Sequence, residues 1–291
     1  MFERVLVATV HTQPKALRLS EIVANLPVEH VVLAHVVESV LPRESRDKHH
    51  VQVAREELGE WARKVQAATS VQITPVVELG VPARKLVQIA SDHEVETILM
   101  SAFVGIPWDQ FFLGSTPLDV IRYGSTNMLI THPESDENPV NTLNRPLLEH
   151  VLFATDFSEF AAGAYDRLVQ VADEGLEKVT LLHVQDVTRI DPHLIDQLPE
   201  FNEEDEQRLK DMAEVLEDAG VLVDIHIDMG VPERKICDVA DEREVSCIAV
   251  GSRGRTRDGR LRWGSVSERV VREAQQPVLV IKLPELMGQN Q

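Results

Sequence analysis

The sequence predicts an α/β protein of two tandem domains, each built on a parallel sheet flanked by helices. Three observations lead to this prediction. The chain has 291 residues, which is long for one hydrophobic core and suited to two. Short apolar runs alternate with helical patterns along it, and several segments recur about 150 residues later.

The recurring segments appear in the same order in both halves, which indicates a duplication. Residues 5–9 recur as 151–155, 32–36 as 180–184, 80–85 as 230–235, and 114–115 as 264–265. Between the halves, residues 134–146 combine charge and turn formers without periodicity. We therefore expect domains at 1–133 and 147–291, joined by a linker at 134–146.

Each half alternates strands and helices in one order, and the second half shows it most clearly. Strands are predicted at 151–155, 179–184, 221–227, 247–250 and 277–281. Helices are predicted from an N-cap at Ser158 to Gly175, and at 203–219, 232–242 and 265–274. Residues 186–202 read as irregular, and the alternating pattern of 221–227 favours a sheet edge. The first half ends on the strand 128–131.

Short connections between alternating elements imply parallel strands with right-handed crossovers. Ligands of such open sheets bind beyond the carboxyl ends of the strands. Asp156, Val184, Gly230 and Gly251 all fall at predicted strand ends. We expect these four residues to converge on one crevice.

The stretch 251–267 is the candidate functional site. It reads Gly-Ser-Arg-Gly, nine residues, then Gly-Ser-Val-Ser, between a predicted strand and a predicted helix. Glycine allows close backbone approach, and the N–H groups at a helix start attract phosphate oxygens. Residues 251–272 also carry seven arginines and two acids, in a chain of formal net charge −19. The stretch predicts a nucleotide-phosphate site, with an ordinary solvated loop as the alternative.

These motifs resemble those of the universal stress protein family. Its nucleotide-binding members carry Gly-x-x-Gly, nine residues, then Gly-Ser or Gly-Thr, a motif matched by Gly251, Gly254, Gly264 and Ser265. They also carry an aspartate after the first strand, which Asp156 matches. The resemblance covers nearly the whole chain outside the linker and the C-terminal tail. It implies two tandem Rossmann-like domains, each a five-stranded parallel sheet of order 3-2-1-4-5, with ATP, ADP or AMP at the carboxyl edge.

The resemblance also implies roles for individual residues of the C-terminal half. Adenosine would lie beside Ala154, Thr155 and Asp156, adenine beside the backbone of Val184, and ribose beside Val250 and Gly251. The phosphates would be surrounded by Arg253, Gly254, Gly264, Ser265, Val266 and Ser267. Without the family, Asp156 is equally consistent with a turn residue before Ser158.

The N-terminal half departs from this pattern, because side chains occupy the positions of the glycines and apolar residues replace arginine. Val10 occupies the position of Asp156, Ser101 that of Gly251 and Val104 that of Gly254. Gly105 is one position out of register. The loop contains the bulky apolar residues Pro107, Trp108, Phe111 and Phe112. Burying phosphate charge against apolar groups is unfavourable. We expect this half to bind no nucleotide and to act as a structural partner, or to use its aromatic loop as an interface.

Composition narrows the class of protein. The acidic balance argues against a general nucleic-acid binder, and no apolar run reaches the roughly 20 residues of a membrane span. The chain begins directly with a predicted strand, so we expect no signal peptide. Cys237 and Cys247 favour buried free thiols and a cytoplasmic location, with a disulfide as the alternative.

No catalytic or metal-binding residues are predicted. His49 and His50 point apart on a helix, the duplicated His35 and His183 favour a structural role, and neither a nucleophile elbow nor a complete P-loop occurs. Asp258 or Glu268 could steer a water or Mg²⁺ near a phosphate.

The leading hypothesis is a non-catalytic, adenine-nucleotide-binding stress-response protein whose nucleotide regulates association. Mg²⁺ is an optional companion of the phosphates. The family resemblance suggests an internal pseudo-dimer of the two halves through their last strands, and whole chains pairing as a homodimer. Two alternatives stay open: a slow ATPase or nucleotidyl-transfer enzyme on the same fold, and a purely structural interaction module.

Overall fold

The computed structural model describes residues 1–9, 24–39, 44–101, 115–131, 145–186, 198–252 and 264–283, with side chains omitted at 44–46 and 198–201. The chain divides into two compact units, Met1–Asn144 and Arg145–Gln291. Most of the predicted linker lies outside the described residues, so its bounds stay a prediction.

The N-terminal unit has five parallel strands in the order β3-β2-β1-β4-β5. The strands are β1 (Arg4–Thr9), β2 (His30–Glu38), β3 (Gln72–Gly80), β4 (Thr97–Ser101) and β5 (Asn127–Thr131). The described helices are α1 (Glu44–Ala68), α2 (Pro82–Asp92) and α3 (Ser115–Tyr123).

The C-terminal unit repeats this sheet in the order β8-β7-β6-β9-β10, again with parallel pairs. Its strands are β6 (Val151–Thr155), β7 (Lys178–Asp186), β8 (Leu222–Gly230), β9 (Cys247–Gly251) and β10 (Val278–Ile281). The helices are α4 (Glu159–Val169), α5 (Leu198–Asp218), α6 (Pro232–Glu242) and α7 (Ser265–Glu273). The predicted α/β class and the order 3-2-1-4-5 are confirmed in both units.

The core of each unit lies on both faces of its sheet. Central strands bury consecutive apolar residues, as at Leu152 and Phe153 of β6, because helices cover both sides. Helix α5 presents Leu209, Ala213 and Leu216 to the core at the spacing of one helical face. The other residues between 202 and 218 are mostly charged and exposed.

Two helices differ from the prediction, and strand β8, predicted at 221–227, runs on to Gly230. The helix expected to run from Ser158 to Gly175 ends at Val169, and a 3₁₀ turn, Ala172–Glu174, follows it and ends at Gly175 with φ +101°. Ser158 is the predicted N-cap, since its Oγ accepts the N–H of Ala161 at 3.2 Å. Helix α5 begins at Leu198, inside the segment expected to be irregular.

The repeated Gly-Val-Pro-x-x-Lys segment has a structural role in both units. Gly80 and Gly230 end their strands with φ +145° and +153°, a region that favours glycine. The side chain of the lysine five residues later lies over the glycine and forms an ion pair with an acidic residue of the strand that the glycine ends. Lys85 Nζ lies 3.1 Å from Glu78 Oε2, and Lys235 Nζ lies 3.2 Å from Asp228 Oδ2. The repeat therefore encodes a strand-to-helix corner.

Candidate functional site

The predicted site residues lie at the carboxyl edge of the C-terminal sheet. Gly251 is the last residue of β9, and Asp156 follows the last residue of β6. These strands are neighbours, with Ala154 aligned to Val250, and β6 also pairs with β7, which carries Val184 two residues from its end. Gly230 ends β8, one strand further out. The four residues expected to line a crevice therefore lie at or near the carboxyl ends of neighbouring strands.

The end of β9 and the start of α7 are held together by hydrogen bonds. The N–H of Gly264 donates to the carbonyl of Ser252 at 3.1 Å, and the N–H of Ser252 donates to Ile281 O at 3.0 Å. The buried Ser267 hydroxyl donates to Gly251 O at 2.6 Å. Arg253 and Gly254, two predicted phosphate ligands, lie outside the described residues.

Helix α7 starts with unsatisfied donors. Gly264 is its N-cap, with φ −65° and ψ 133° and no capping side chain. Within the described part of the chain, the N–H groups of Ser265, Val266 and Ser267 have no acceptor, as expected for a first turn. Ser265 is exposed and Val266 half-buried. Together with the helix dipole, these donors favour an anion.

Asp156 belongs to a tight turn. Its Oδ1 accepts the N–H of Ser158 at 3.0 Å, and Thr155 Oγ1 accepts the N–H of Phe157 at 3.0 Å. Phe157 has φ +56°, an uncommon conformation for a bulky residue. The turn role that the sequence left open for Asp156 is therefore observed. A carboxylate offers about four acceptor positions, so this turn is compatible with a ligand contact.

His183 of β7 fixes the end of β6. Its Nδ1 lies 2.8 Å from Thr155 O, and because a carbonyl only accepts, Nδ1 carries the proton. The Phe157 ring lies 4.5 Å from the His183 ring, and the Arg208 guanidinium lies 5.4 Å from the Phe157 ring centroid. These contacts hold the residues beside Asp156. His35 makes the same contact with Thr9 O at 3.0 Å in the N-terminal unit, as a shared structural role predicts.

A partly buried polar cluster joins this position to helix α5. Asp205 Oδ2 accepts the Gln185 amide N–H at 3.0 Å and lies 3.5 Å from His183 Nε2. Gln185 is 7% exposed, and its Oε1 has no partner among the described residues. Sequence reasoning missed this cluster, although a glutamine within an apolar strand was a detectable signal.

At the described positions that correspond to this cluster, the N-terminal unit is apolar. Aligning His35 with His183 places Val37 at the position of Gln185. In α1, the buried Ala54, Leu58 and Ala62 repeat the spacing of Asp205, Leu209 and Ala213 in α5, so Ala54 takes the place of Asp205. The cluster is specific to the half with the intact glycine loop.

A second difference lies at the helix start. The buried Pro117 of α3 stands at the repeat position of Ser267 and has neither a hydroxyl nor an N–H to offer. Ser101, which replaces Gly251, is half-buried at the end of β4. Val10, Gly114 and the aromatic loop with Val104 and Gly105 lie outside the described residues.

The two cysteines are free, as expected, but Cys237 is only partly buried. Burial raises the pKa of both Cys237 and Cys247 to about 12, which keeps the thiols protonated and poorly nucleophilic. Within the described ranges, no group of three or more histidines, cysteines or acids is arranged to hold a metal ion. No described helix is long and apolar enough to cross a membrane.

Comparison with known proteins shows which family this chain resembles. The model of the universal stress protein family matches residues 1–132 and 148–282. A universal stress protein of Methanocaldococcus jannaschii is 31% identical over 155 residues, 47% of this chain and 96% of its own. The structure of a universal stress protein from Archaeoglobus fulgidus matches with a TM-score of 0.70 over 97% of both chains, at 22% identity, which shows the fold. A universal stress protein solved in complex with cAMP is 23% identical over 46% of this chain and 96% of its own, with a TM-score of 0.35.

Proposed function

Because the chain belongs to the universal stress protein family, we propose that its C-terminal half binds one adenine nucleotide and that its N-terminal half binds none. The observation that carries this proposal is the start of α7, which Ser267 holds against Gly251 at 2.6 Å. The first-turn N–H groups there form an anion-binding arrangement. Arg253 and Gly254 would complete the phosphate site, and the excess of arginine in 253–272 attracts the charge.

The nucleoside part of the ligand fits the neighbouring strand ends. Parallel strands lie about 4.8 Å apart, so the ends of β9, β6 and β7 span about 10 Å. A nucleotide with its phosphates at Gly264, Ser265 and Val266 would bring its ribose to Val250 and Gly251. Its adenosine would then meet Ala154, Thr155 and Asp156, and its base the Val184 backbone.

The function that we propose is binding without catalysis. Glu268, which the sequence offered as a residue to steer water or Mg²⁺, is paired with Arg272 at 2.9 Å. The other such residue, Asp258, lies outside the described residues. In this proposal ATP, ADP or AMP, with or without Mg²⁺, regulates association by binding one associated state more tightly than the other.

The expected lack of binding in the N-terminal half has a physical basis in the described residues. Pro117 removes one backbone donor and the hydroxyl that would tie α3 to β4. Ser101 adds a side chain where Gly251 has none. We expect these changes to prevent a phosphate from approaching the backbone.

Isothermal titration calorimetry with ATP, ADP and AMP tests the proposal directly. We expect one site per chain, and loss of binding in Gly264→Val because its side chain would occupy the position of the phosphate. The matched control is Gly114→Val, the same change at the repeat position, which we expect to leave binding unchanged. Two equivalent sites per chain, or parental affinity in Gly264→Val, would contradict the proposal.

Thermal unfolding gives a second test of the proposed function. A bound nucleotide must raise the melting temperature, since it binds only the native state. A melting temperature insensitive to all three nucleotides would favour a structural interaction module instead. The cytoplasmic location, supported by the two free cysteines, and the pairing of the two halves through their last strands stay predictions.

A further inference from the structure

The outer strand of the C-terminal sheet exposes one side of its backbone. Among the described residues β8 pairs only with β7, in a register that aligns Leu222 with Lys178. The N–H of Leu222 donates to Glu177 O at 3.0 Å, so Leu222 faces β7. Successive residues of a strand point their backbone groups to opposite sides. The backbone groups of the odd-numbered residues, Val223 to Met229, therefore point away from the sheet.

Most of these outward donors are open. The N–H of Met229 is taken by Asp228 Oδ1 at 2.7 Å. In the part of the chain that the structure describes, no acceptor meets the N–H of Val223, Ile225 or Ile227. Leu222 at the start of the strand is 70% exposed. An apolar, unpaired strand edge of this kind is a template for another strand.

The first half of the matching edge of the N-terminal sheet is blocked. There the N–H of Gln72 donates to Glu29 O at 2.9 Å, so the odd-numbered residues of β3 face outward in the same way. The outward N–H of Ile73 is taken by Gln66 Oε1 at 2.8 Å. Pro75, the repeat position of Ile225, has no N–H and is exposed. The chain thus blocks the first half of the β3 edge against pairing and leaves the same positions of β8 open.

We propose that this edge of β8 is a self-association surface, on which two copies of the chain pair their β8 strands antiparallel around a twofold axis at Ile225. In this register Ile225 faces Ile225 of the partner subunit, and Val223 faces Ile227 of the partner subunit. Each of these outward residues both donates and accepts a backbone hydrogen bond across the axis. Met229, whose N–H is already used, lies outside the paired segment.

Side-chain charge selects a second copy in this register as the occupant. Pairing around Ile225 places Asp224 opposite His226 of the partner subunit. The Nδ1 of His226 faces the Arg243 guanidinium at 3.4 Å, and because a guanidinium only donates, Nε2 carries the proton. That N–H can donate to the facing carboxylate. Pairing around His226 instead would set Asp224 against Asp228 of the partner subunit, and like charges directly opposite are unfavourable.

Sedimentation velocity of the full chain tests this interface. We expect the parent chain to sediment as a dimer and the Ile225→Pro variant as a monomer. Proline removes an outward N–H without disturbing the hydrogen bonds between β8 and β7. The matched control is Ile73→Pro on β3, which we expect to leave the mass unchanged. A wild-type chain that sediments as a monomer, or an Ile225→Pro variant of unchanged mass, overturns the proposal.

Two further variants keep the test independent of folding defects in Ile225→Pro. His226→Glu sets two acids opposite each other, and we expect the same loss of the dimer with an unchanged circular dichroism spectrum. Ile225→Cys should cross-link to itself with a short thiol reagent, whereas Met229→Cys, placed away from the axis, should not. Cross-linking of Met229→Cys alone would show a different register and overturn the proposal.

Discussion

Ser267 Oγ donates a 2.6 Å hydrogen bond to the carbonyl oxygen of Gly251, and both residues are buried. The bond ties the first turn of α7 to the last residue of β9. It therefore sets the spacing between the helix N–H groups and the bare backbone of the strand end. The family resemblance predicts that Ser267 lies beside the phosphates. The structure shows that the Ser267 hydroxyl donates its proton to Gly251 O, within the protein itself.

Ser267→Ala, which removes only one hydroxyl group, should clearly weaken nucleotide binding. The change removes a buried hydrogen bond worth about 1 kcal/mol and lets the helix start move relative to Gly251. We expect the affinity for the bound nucleotide to fall about tenfold, equivalent to about 1.4 kcal/mol. Isothermal titration calorimetry of the variant and the parent measures this ratio.

Ser246→Ala is the matched control for that experiment. The Ser246 hydroxyl is also buried and lies 2.8 Å from Leu147 O and 2.9 Å from His150 O, before the amino end of β9. We expect Ser246→Ala to lower the melting temperature without changing nucleotide affinity. An equal loss of affinity in both variants would mean that general destabilisation, and not helix placement, explains the effect.

The buried Gln185 and the half-buried Asp205 should show strong energetic coupling. Among the described residues, Asp205→Ala leaves neither end of the buried Gln185 amide with a partner, at a cost of about 1–3 kcal/mol. Adding Gln185→Val recreates the apolar pair Val37 and Ala54 of the N-terminal unit. We expect the double variant to be more stable than Asp205→Ala alone, as measured by urea unfolding.

A double-mutant cycle on these two residues gives the coupling free energy directly. If the two single changes simply add, the amide and the carboxylate act independently and the hydrogen bond at 3.0 Å contributes little. We also expect Asp205→Ala to reduce nucleotide affinity. His183, which holds Thr155 O, lies 3.5 Å from Asp205 and loses this neighbour.

The acid sensitivity of the C-terminal unit should depend on His150. Burial, followed by the positive charge of Lys178, lowers the pKa of His150 to about 4, and its Nε2 lies 2.9 Å from Thr180 Oγ1. The unfolded chain, with a pKa near 6.5, binds more protons between these values. The stabilising effect of the neutral ring is therefore complete above pH 6.5 and is lost as the pH falls towards 4.

His150→Gln should flatten this pH dependence. Glutamine does not titrate and can still donate to Thr180 Oγ1. Because the ring is only half-buried and solvent screens its charge, we expect a difference on the order of 1 kcal/mol between pH 7 and pH 4. Urea unfolding at several pH values measures it. Identical pH profiles for variant and parent would show that other groups control the acid response.

The elements that the sequence predicted well are those set by local pattern. Strand β6 and the N-cap Ser158 follow from an apolar run and a capping residue. The positive φ of Phe157 was not predicted, because a bulky residue rarely adopts it. Its ring packs against His183 of another strand, a contact that the local sequence pattern does not encode.

The same limit applies to contacts between elements. Glu233 is 5% exposed and pairs with Arg269 of α7, yet in the sequence the two residues read as ordinary surface charges. The repeat of Gly230 and Lys235 is visible in the sequence, but only the folded structure shows the lysine side chain lying over the glycine. Pairings between residues far apart in sequence depend on tertiary packing, which periodicity does not encode.

Two glycine substitutions of identical chemistry should change stability in opposite directions. An added Cβ meets nothing within 4 Å at either Gly59 or Gly220. Gly59 lies inside helix α1 with no positive φ, so Gly59→Ala should stabilise the N-terminal unit by about 1 kcal/mol through helix propensity. Gly220, just after α5, has φ +84°, so Gly220→Ala should destabilise the C-terminal unit by about 1 kcal/mol.

Urea unfolding of the two variants and the parent separates these effects, because steric clashes contribute to neither. Gly220→Asn serves as the control, since asparagine tolerates the left-handed region better than alanine and should recover part of the loss. A stabilising Gly220→Ala would mean that this residue does not hold its left-handed conformation in solution. A destabilising Gly59→Ala would mean that α1 is not helical at that position.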